Sequence, residues 1–265
     1  MLCRAAPSEG YIAEQSYRDA DPRVVGSRVD LERALEIDPR SVDARIGIPT
    51  ILLSRCALGW SSSQKQDLAR AEQLLVEALE RDINRSSAHH AMGIVRRNQV
   101  RLSEAKIEFE TAIALDRNNA KAFFNLGQTM MWLGEPEAGI PSLEKAIRLN
   151  PHDQTLASHY ATLGLCHLFL GHVDLAIDLL RKARAENPRP YVFHLWLAGA
   201  LGFKGDLDEA KAALAESLKL KPEINSFAAQ RANAPNAAVI TNPLHWALRE
   251  KTLNVGLRRI GFPEE

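Results

Sequence analysis

The chain has no excess of either charge: 33 lysines and arginines are matched by 33 aspartates and glutamates over 265 residues. That balance removes the electrostatic reason to expect nucleic acid or an anionic membrane as the main partner. Cysteine is scarce. Cys3, Cys56 and Cys166 are odd in number, far apart and without a C-x-x-C pair, which argues against a disulfide framework or a zinc ribbon and points to a reducing, cytoplasmic setting. Long apolar runs are missing too. The longest, such as 46–53 and 161–171, fall far short of a membrane span, and the opening MLCRAAPSEG lacks the apolar centre of a signal peptide. There is no G-x-x-x-x-G-K-[ST] and no G-x-G-x-x-G, so no phosphate loop and no nucleotide cofactor are expected. Aromatics are only 6% of the chain while alanine and leucine abound, a composition that leans helical.

Histidine is the exception to this sparseness, and His159, Cys166, His167 and His172 invite a metal reading. None of them forms the i, i+4 pair that helical zinc sites use, so no metal is expected. Cys166 and His167 are adjacent, diverge by about 100° around a helix and make a poor nucleophile–base pair. No catalytic residue is expected anywhere.

What the sequence does have is a period. The ends of successive apolar-periodic segments fall at Pro39, Ile83, Arg117, Pro151, Pro188 and Pro222, with spacings of 44, 34, 34, 37 and 34. Small residues hold their places within that frame: Gly93, Gly127, Gly164 and Ala198 at the eighth position, then Ala71, Ala105, Gly139, Ala176 and Ala210 at the twentieth. The twenty-seventh is Ala34, Ala78, Ala112, Ala146, Ala183 and Ser217. Helices approach closely only where side chains are small, so these positions mark helix crossings. Large apolar residues interleave, with Leu75, Phe109, Leu143, Leu180 and Leu214 at the twenty-fourth. Gly134, Gly171 and Gly205 lie between the two helices of a unit, where a left-handed residue ends the first; the third unit has Val100 there, which should strain or reshape the turn.

This pattern resembles the tetratricopeptide repeat (TPR) family over about residues 42–224. The resemblance implies an all-α fold, a right-handed superhelix of helix–turn–helix repeats, here about 42–85, 86–119, 120–153, 157–190 and 191–224. A degenerate repeat over 1–41 is expected before them, with Tyr11–Ala20 as its polar first helix, and an extension over 225–265 after them. The repeat at 42–85 carries ten extra residues around Gly59 to Ser63, expected to lengthen its turn, and Pro49 is expected to kink its first helix.

In TPR proteins the concave groove is lined by set positions of each first helix. Here those positions give Ser87, His90, Ile94, Arg97 and Asn98, then Lys121, Phe124, Gln128 and Trp132, a mixed lining that implies a protein or peptide ligand. Further on they give Leu165, Leu168, Phe169, Leu195 and Phe203, which are apolar. Such a surface is seldom left wet. A helix over 243–260, with Asn242 as N-cap and Trp246, Leu253, Leu257 and Ile260 on one stripe, is expected to fold back over it, in preference to a partner's helix. Asn125 stands where chaperone-tail clamps keep their central asparagine, but His90, Ile94, Ser158 and Thr162 replace the clamp's other groups, so that ligand is not expected.

The closing segment LREKTLNVGLRRIGFPEE is similar to the end of TPR regions in bacterial class III adenylate/guanylate cyclase-type proteins and winged-helix regulators, through Gly256, Leu257, Arg258, Gly261, Pro263 and Glu264. Within these 265 residues neither a cyclase domain nor a winged helix is expected ahead of the repeats. The resemblance therefore implies a non-enzymatic scaffold of bacterial signalling, or alternatively a detached regulatory tail that acts with a separate effector chain.

Overall fold

A computed structural model describes residues 23–57, 60–233 and 242–265. Among them all regular structure is helical: α1 Arg23–Ile37, α2 Val42–Ala57, α3 Gln64–Arg81, α4 Ser86–Asn98, α5 Leu102–Leu115, α6 Ala120–Leu133, α7 Pro136–Leu149, α8 Leu156–Phe169, α9 Val173–Glu186, α10 Tyr191–Lys204, α11 Leu207–Leu220, α12 Phe227–Ala232, α13 Pro243–Lys251 and α14 Leu253–Arg259. The expected helix over Tyr11–Ala20, Gly59 and residues 234–241 lie outside the described residues. Two compact units divide the chain, one ending at Asn125 and one running from Leu126 to Glu265, with the boundary inside α6.

In the first unit, Ile48, Leu52, Leu74, Leu75, Ala78, Met92 and Val95 form a common core. Burying a leucine or valine side chain fully is worth about 1.5–3 kcal/mol, so these contacts rather than helix propensity hold the pairs together. Gly93 shows why its position must be small: a Cβ there would come 2.5 Å from the ring of Phe109. The ten extra residues of the second repeat do not all enter its turn. Against the 14-residue α6 and α7, α2 has 16 residues and α3 has 18, so the insertion is shared between both helices and the turn. The helix assignment runs unbroken through Pro49. Partly buried ion pairs tie the helices, Arg45 to Glu77 at 2.9 Å and Arg96 to Glu72.

Val100 is at φ 65°, the sole non-glycine with a positive φ among the described residues. It occupies the place that Gly134 (φ 85°), Gly171 (φ 82°) and Gly205 (φ 106°) occupy in later turns. The backbone of that turn is thus kept at the cost of a β-branched residue in a left-handed conformation.

The second unit repeats the same crossings. A Cβ on Gly127 would lie 2.8 Å from the carbonyl oxygen of Gly139, and one on Gly164 would lie 3.2 Å from that of Ala176. Leu143, Leu180 and Phe193 are fully buried. His194 fastens the start of a repeat to the end of the one before, its Nε2 bonding the carbonyl oxygen of Pro188 at 2.8 Å. In the first unit His89 does the same with Ile83, also at 2.8 Å.

The C-terminal extension departs from the expected single helix over 243–260. Asn242 does cap its start, the side-chain oxygen accepting from the N–H groups of Leu244 and His245 at 2.9 and 3.2 Å. The helix then breaks at Thr252 (φ −130°, ψ −85°), which separates α13 from α14. The break rephases the two halves. Leu253, Leu257 and Ile260 are buried, but His245 takes the inward place on α13 and Trp246 is only half-buried.

Candidate functional site

The first-helix positions of α4 and the start of α6 carry a hydrogen-bonded set. Asn125 is buried, and its amide joins two partners: Oδ1 accepts from Arg97 Nη1 at 2.8 Å, and Nδ2 lies 2.9 Å from His90 Nε2. Since the amide nitrogen can only donate, Nε2 of His90 is the acceptor and the imidazole is neutral. Burial holds its pKa down to about 4, and the charges of Arg97 and Lys121 push the same way. The ring also packs against Phe109, with centroids 5.9 Å apart. Ser87 and Lys121 are exposed, and Ile94, Arg97, Asn98 and Phe124 are half-buried. Asn98 is turned back on its own helix, Nδ2 donating to the carbonyl oxygen of Ile94 at 2.8 Å. The result is a face with two cations, one neutral imidazole and two apolar side chains. It can offer hydrogen bonds and positive charge, and it holds no nucleophile beside a base.

The other expected groove residues are not open. Gln128 is half-buried, but Trp132 is only 3% exposed and belongs to the core, not to a ligand surface. Leu165, Leu168, Phe169 and Leu195 are likewise buried. Their side of the second unit is met by α13 and α14. His245 Nδ1 donates to the carbonyl oxygen of Met131 at 3.1 Å, and its ring sits edge-on to Phe169 at 5.5 Å. Leu253 packs on Gly199, and the backbones of α10 and α14 touch where Gly199 and Gly202 meet Gly256, so that a Cβ on Gly256 would collide with the carbonyl oxygen of Gly199. Phe203 is half-buried beneath Arg259, which donates to its carbonyl oxygen at 2.6 Å.

Of the histidine–cysteine cluster, only His167 and His172 come together, Nδ1 to Nδ1 at 3.2 Å. Burial pushes the Cys166 thiol up to about 12, and His159 turns its Nδ1 to the carbonyl oxygen of Thr155 at 2.9 Å. Among the described residues no group of three or more histidine, cysteine or acidic side chains is placed to hold a metal, and no helix of the described residues is long and apolar enough to cross a membrane. His245 and Arg249 escaped the sequence reading, and Gly256 entered it only through the likeness of the closing segment. The small pair Gly199 and Gly202 on α10 was the available signal for the contact with Gly256, since only a helix brought to backbone contact needs both.

Residues 120–153 and 192–224 match the model of the tetratricopeptide repeat. The chain carries TPR units. Two curated relatives share parts of its sequence. The peroxisomal targeting signal receptor of Candida albicans is 33% identical over 100 residues, 34% of this chain and 17% of the receptor. Protein FlbA of Caulobacter vibrioides is 27% identical over 172 residues, 64% of this chain and 28% of FlbA. The chain thus spans less than a third of either relative. Among solved structures, YrrB, described as a TPR protein with an unusual peptide-binding site, superposes with a TM-score of 0.55 at 22% identity, covering 73% of this chain and 93% of YrrB. That likeness is one of fold: TPR-like helical repeats of the kind that build TPR solenoids. The resemblance of the closing segment to cyclase-type tails finds no counterpart in these relatives.

Proposed function

We propose that the chain is a non-enzymatic TPR scaffold that holds a protein or peptide partner on the α4 and early α6 face, while α13 and α14 act as an internal ligand on α8 and α10. The observation that carries this reading is the contrast between equivalent positions. Leu165, Leu168 and Leu195 are buried, whereas Ser87 and Lys121 are exposed and Ile94 and Phe124 half-exposed. Arg97 and Lys121 favour a ligand with acidic groups. Trp132, an expected contact, is set aside because it is core.

The test uses peptides selected on the wild-type chain from a random-sequence display library. Lys121→Glu with Phe124→Ala should weaken their binding at least about tenfold, the scale of one or two interface anchors, with little change in melting temperature. Ala112→Arg is the control for folding, since Ala112 is fully buried and an unpaired charge there costs several kcal/mol, roughly enough to unfold the array. Undiminished peptide binding by the Lys121/Phe124 variant would sink the reading.

The setting we propose is a bacterial signalling complex, or the detached tail of a cyclase-type protein, from the likeness of the closing segment. Co-purification with a cyclase-type effector supports the second form, and an effector whose activity ignores this chain argues against it.

A further inference from the structure

The turn between α8 and α9 brings two imidazoles together, and it shares no residue with the α4 and α6 face. Its backbone explains why. Gly171, at φ 82°, ends α8 in the left-handed region; its N–H donates to the carbonyl oxygen of Leu168 at 3.0 Å, and the N–H of His172 reaches back to the carbonyl oxygen of His167 at 2.9 Å. A helix ended in this way sets the side chains of that last bonded pair against each other, and the contact is ordinarily apolar. The same backbone bond recurs from Arg101 to Arg96, Glu135 to Met130 and Asp206 to Leu201, at 2.9, 2.9 and 3.0 Å. Among these four turns the one between α8 and α9 alone carries two imidazoles at that pair of places. Sequence spacing hid it, because i, i+5 is no pair on a continuous helix and becomes one only across the glycine turn.

His167 Nδ1 and His172 Nδ1 lie 3.2 Å apart, with the ring planes tilted by 42°. Two neutral rings at that distance make one hydrogen bond, one ring donating its N–H and the other accepting on its lone pair. The distance also suits a metal. Imidazole nitrogens bind zinc-like dications at about 2.0–2.1 Å, so two of them in neighbouring positions of a tetrahedral or square shell stand about 2.8–3.4 Å apart. The pair already has the span of a chelate, and only soft χ2 rotations of the two rings separate the hydrogen-bonded arrangement from the ligating one. On ligation the donor ring's proton moves through water to its own Nε2, and both Nδ1 lone pairs face the ion. Burial first and the neighbouring ring second hold His167 below the ordinary histidine range against the upward pull of Glu144, so at neutral pH the ring is in the form that ligates. His172 is exposed, which leaves the remaining positions of the ion to water.

We propose that His167 and His172 form a two-nitrogen chelate for a late first-row dication, copper(II) before nickel(II) or zinc(II), with water completing the shell. Copper leads because it heads the stability order of these ions and takes neighbouring nitrogen ligands in a square shell. The chelate pins the end of α8 to the start of α9, so the ion stabilises the folded chain.

The experiment titrates the full chain with copper(II), zinc(II) and magnesium chlorides against glycine as a weak competing chelator, and reads the ligands of the copper form by electron spin resonance. The tightest copper should bind one to one in the micromolar range, show two imidazole nitrogens in its spectrum and raise the melting temperature; magnesium, which prefers oxygen ligands, should not bind. His172→Ala should weaken copper binding at least about tenfold, since even an outer-shell partner of a metal ligand is worth about 10–100-fold. It leaves the fold alone, because His172 is exposed and its side chain makes no cap bond to α9. His167→Leu supplies the side chain that the equivalent turn carries at Leu201 and should weaken binding similarly. His152→Ala, at an exposed histidine outside the pair, should change nothing. Copper bound by wild type no more tightly than by His172→Ala, a loss that follows His152→Ala instead, or a copper spectrum without two imidazoles overturns the proposal and leaves the pair a hydrogen bond only. Should His167→Leu fail to fold, His172→Ala decides alone.

Discussion

Protonating His245 would set a cation beside Arg249 in a place with almost no water, because the ring is 2% exposed, edge-on to Phe169 and bonded through Nδ1 to a carbonyl. Burial first and the Arg249 charge second hold its pKa down to about 4, while the Met131 carbonyl pulls slightly upward. In the unfolded chain a histidine titrates near 6.5, so between those values the unfolded state binds the extra proton. Stability from this residue is complete above pH 6.5 and is lost as pH falls toward 4, by up to about 3 kcal/mol at 1.36 kcal/mol per unit. His245→Gln keeps a donor for the carbonyl and cannot titrate. It should lose less stability than wild type between pH 7 and pH 5, measured by denaturant titration at both. Identical losses in the two proteins would show that His245 is not the group responsible.

Among the elements, α14 depends on the absence of side chains. It reaches α10 only because Gly199, Gly202 and Gly256 have no Cβ, and the carbonyl oxygens of Gly199 and Gly256 occupy the space that one would need. Gly256→Ala should therefore part the helices and cost at least about 3 kcal/mol, beyond ordinary overpacking, because backbone rather than a flexible side chain is in the way. Hydrogen exchange at Leu253 and Leu257 would report the separation. The sequence revealed the repeat helices well, because each carries small residues at fixed places whose spacing survives without the rest of the fold. It revealed the strain at Val100 for the same reason, through the glycines at the equivalent turns. The extension was less legible. A stripe of Trp246, Leu253, Leu257 and Ile260 assumes one unbroken helix, and nothing local in Thr252 announces the break that turns His245 inward and leaves Trp246 against two arginines. The groove was half legible. Position within a repeat says which way a residue faces, but whether that face is open or covered depends on chain 56 to 114 residues away, as it does for Phe203 and Met131.

For the molecule as a whole, the bond between His245 and Met131 joins residues 114 apart, and that between Arg259 and Phe203 residues 56 apart, in a chain whose repeats otherwise contact their neighbours. Repeat arrays unfold piecemeal when each unit touches only the next. The Leu126–Glu265 unit, closed on itself by α13 and α14, should instead unfold in one step. Deleting residues 243–265 should lower the melting temperature, uncover Leu165, Leu168 and Leu195 so that the shortened chain associates, and replace the sharp transition with a broader one. An unchanged melting temperature in a monomeric truncated chain would count against a closed unit.

The same closure sets an order of events during synthesis. Leu168 leaves the ribosome about 85 residues ahead of Leu253, which at roughly 5–20 residues per second is several seconds or more. Once Lys204 has followed, α8 and α10 wait a further 49 residues for Leu253 with their apolar faces bare. The nascent chain thus spends seconds as a binding surface for whatever apolar helix is near, until Leu253 and Leu257 follow and end its stickiness.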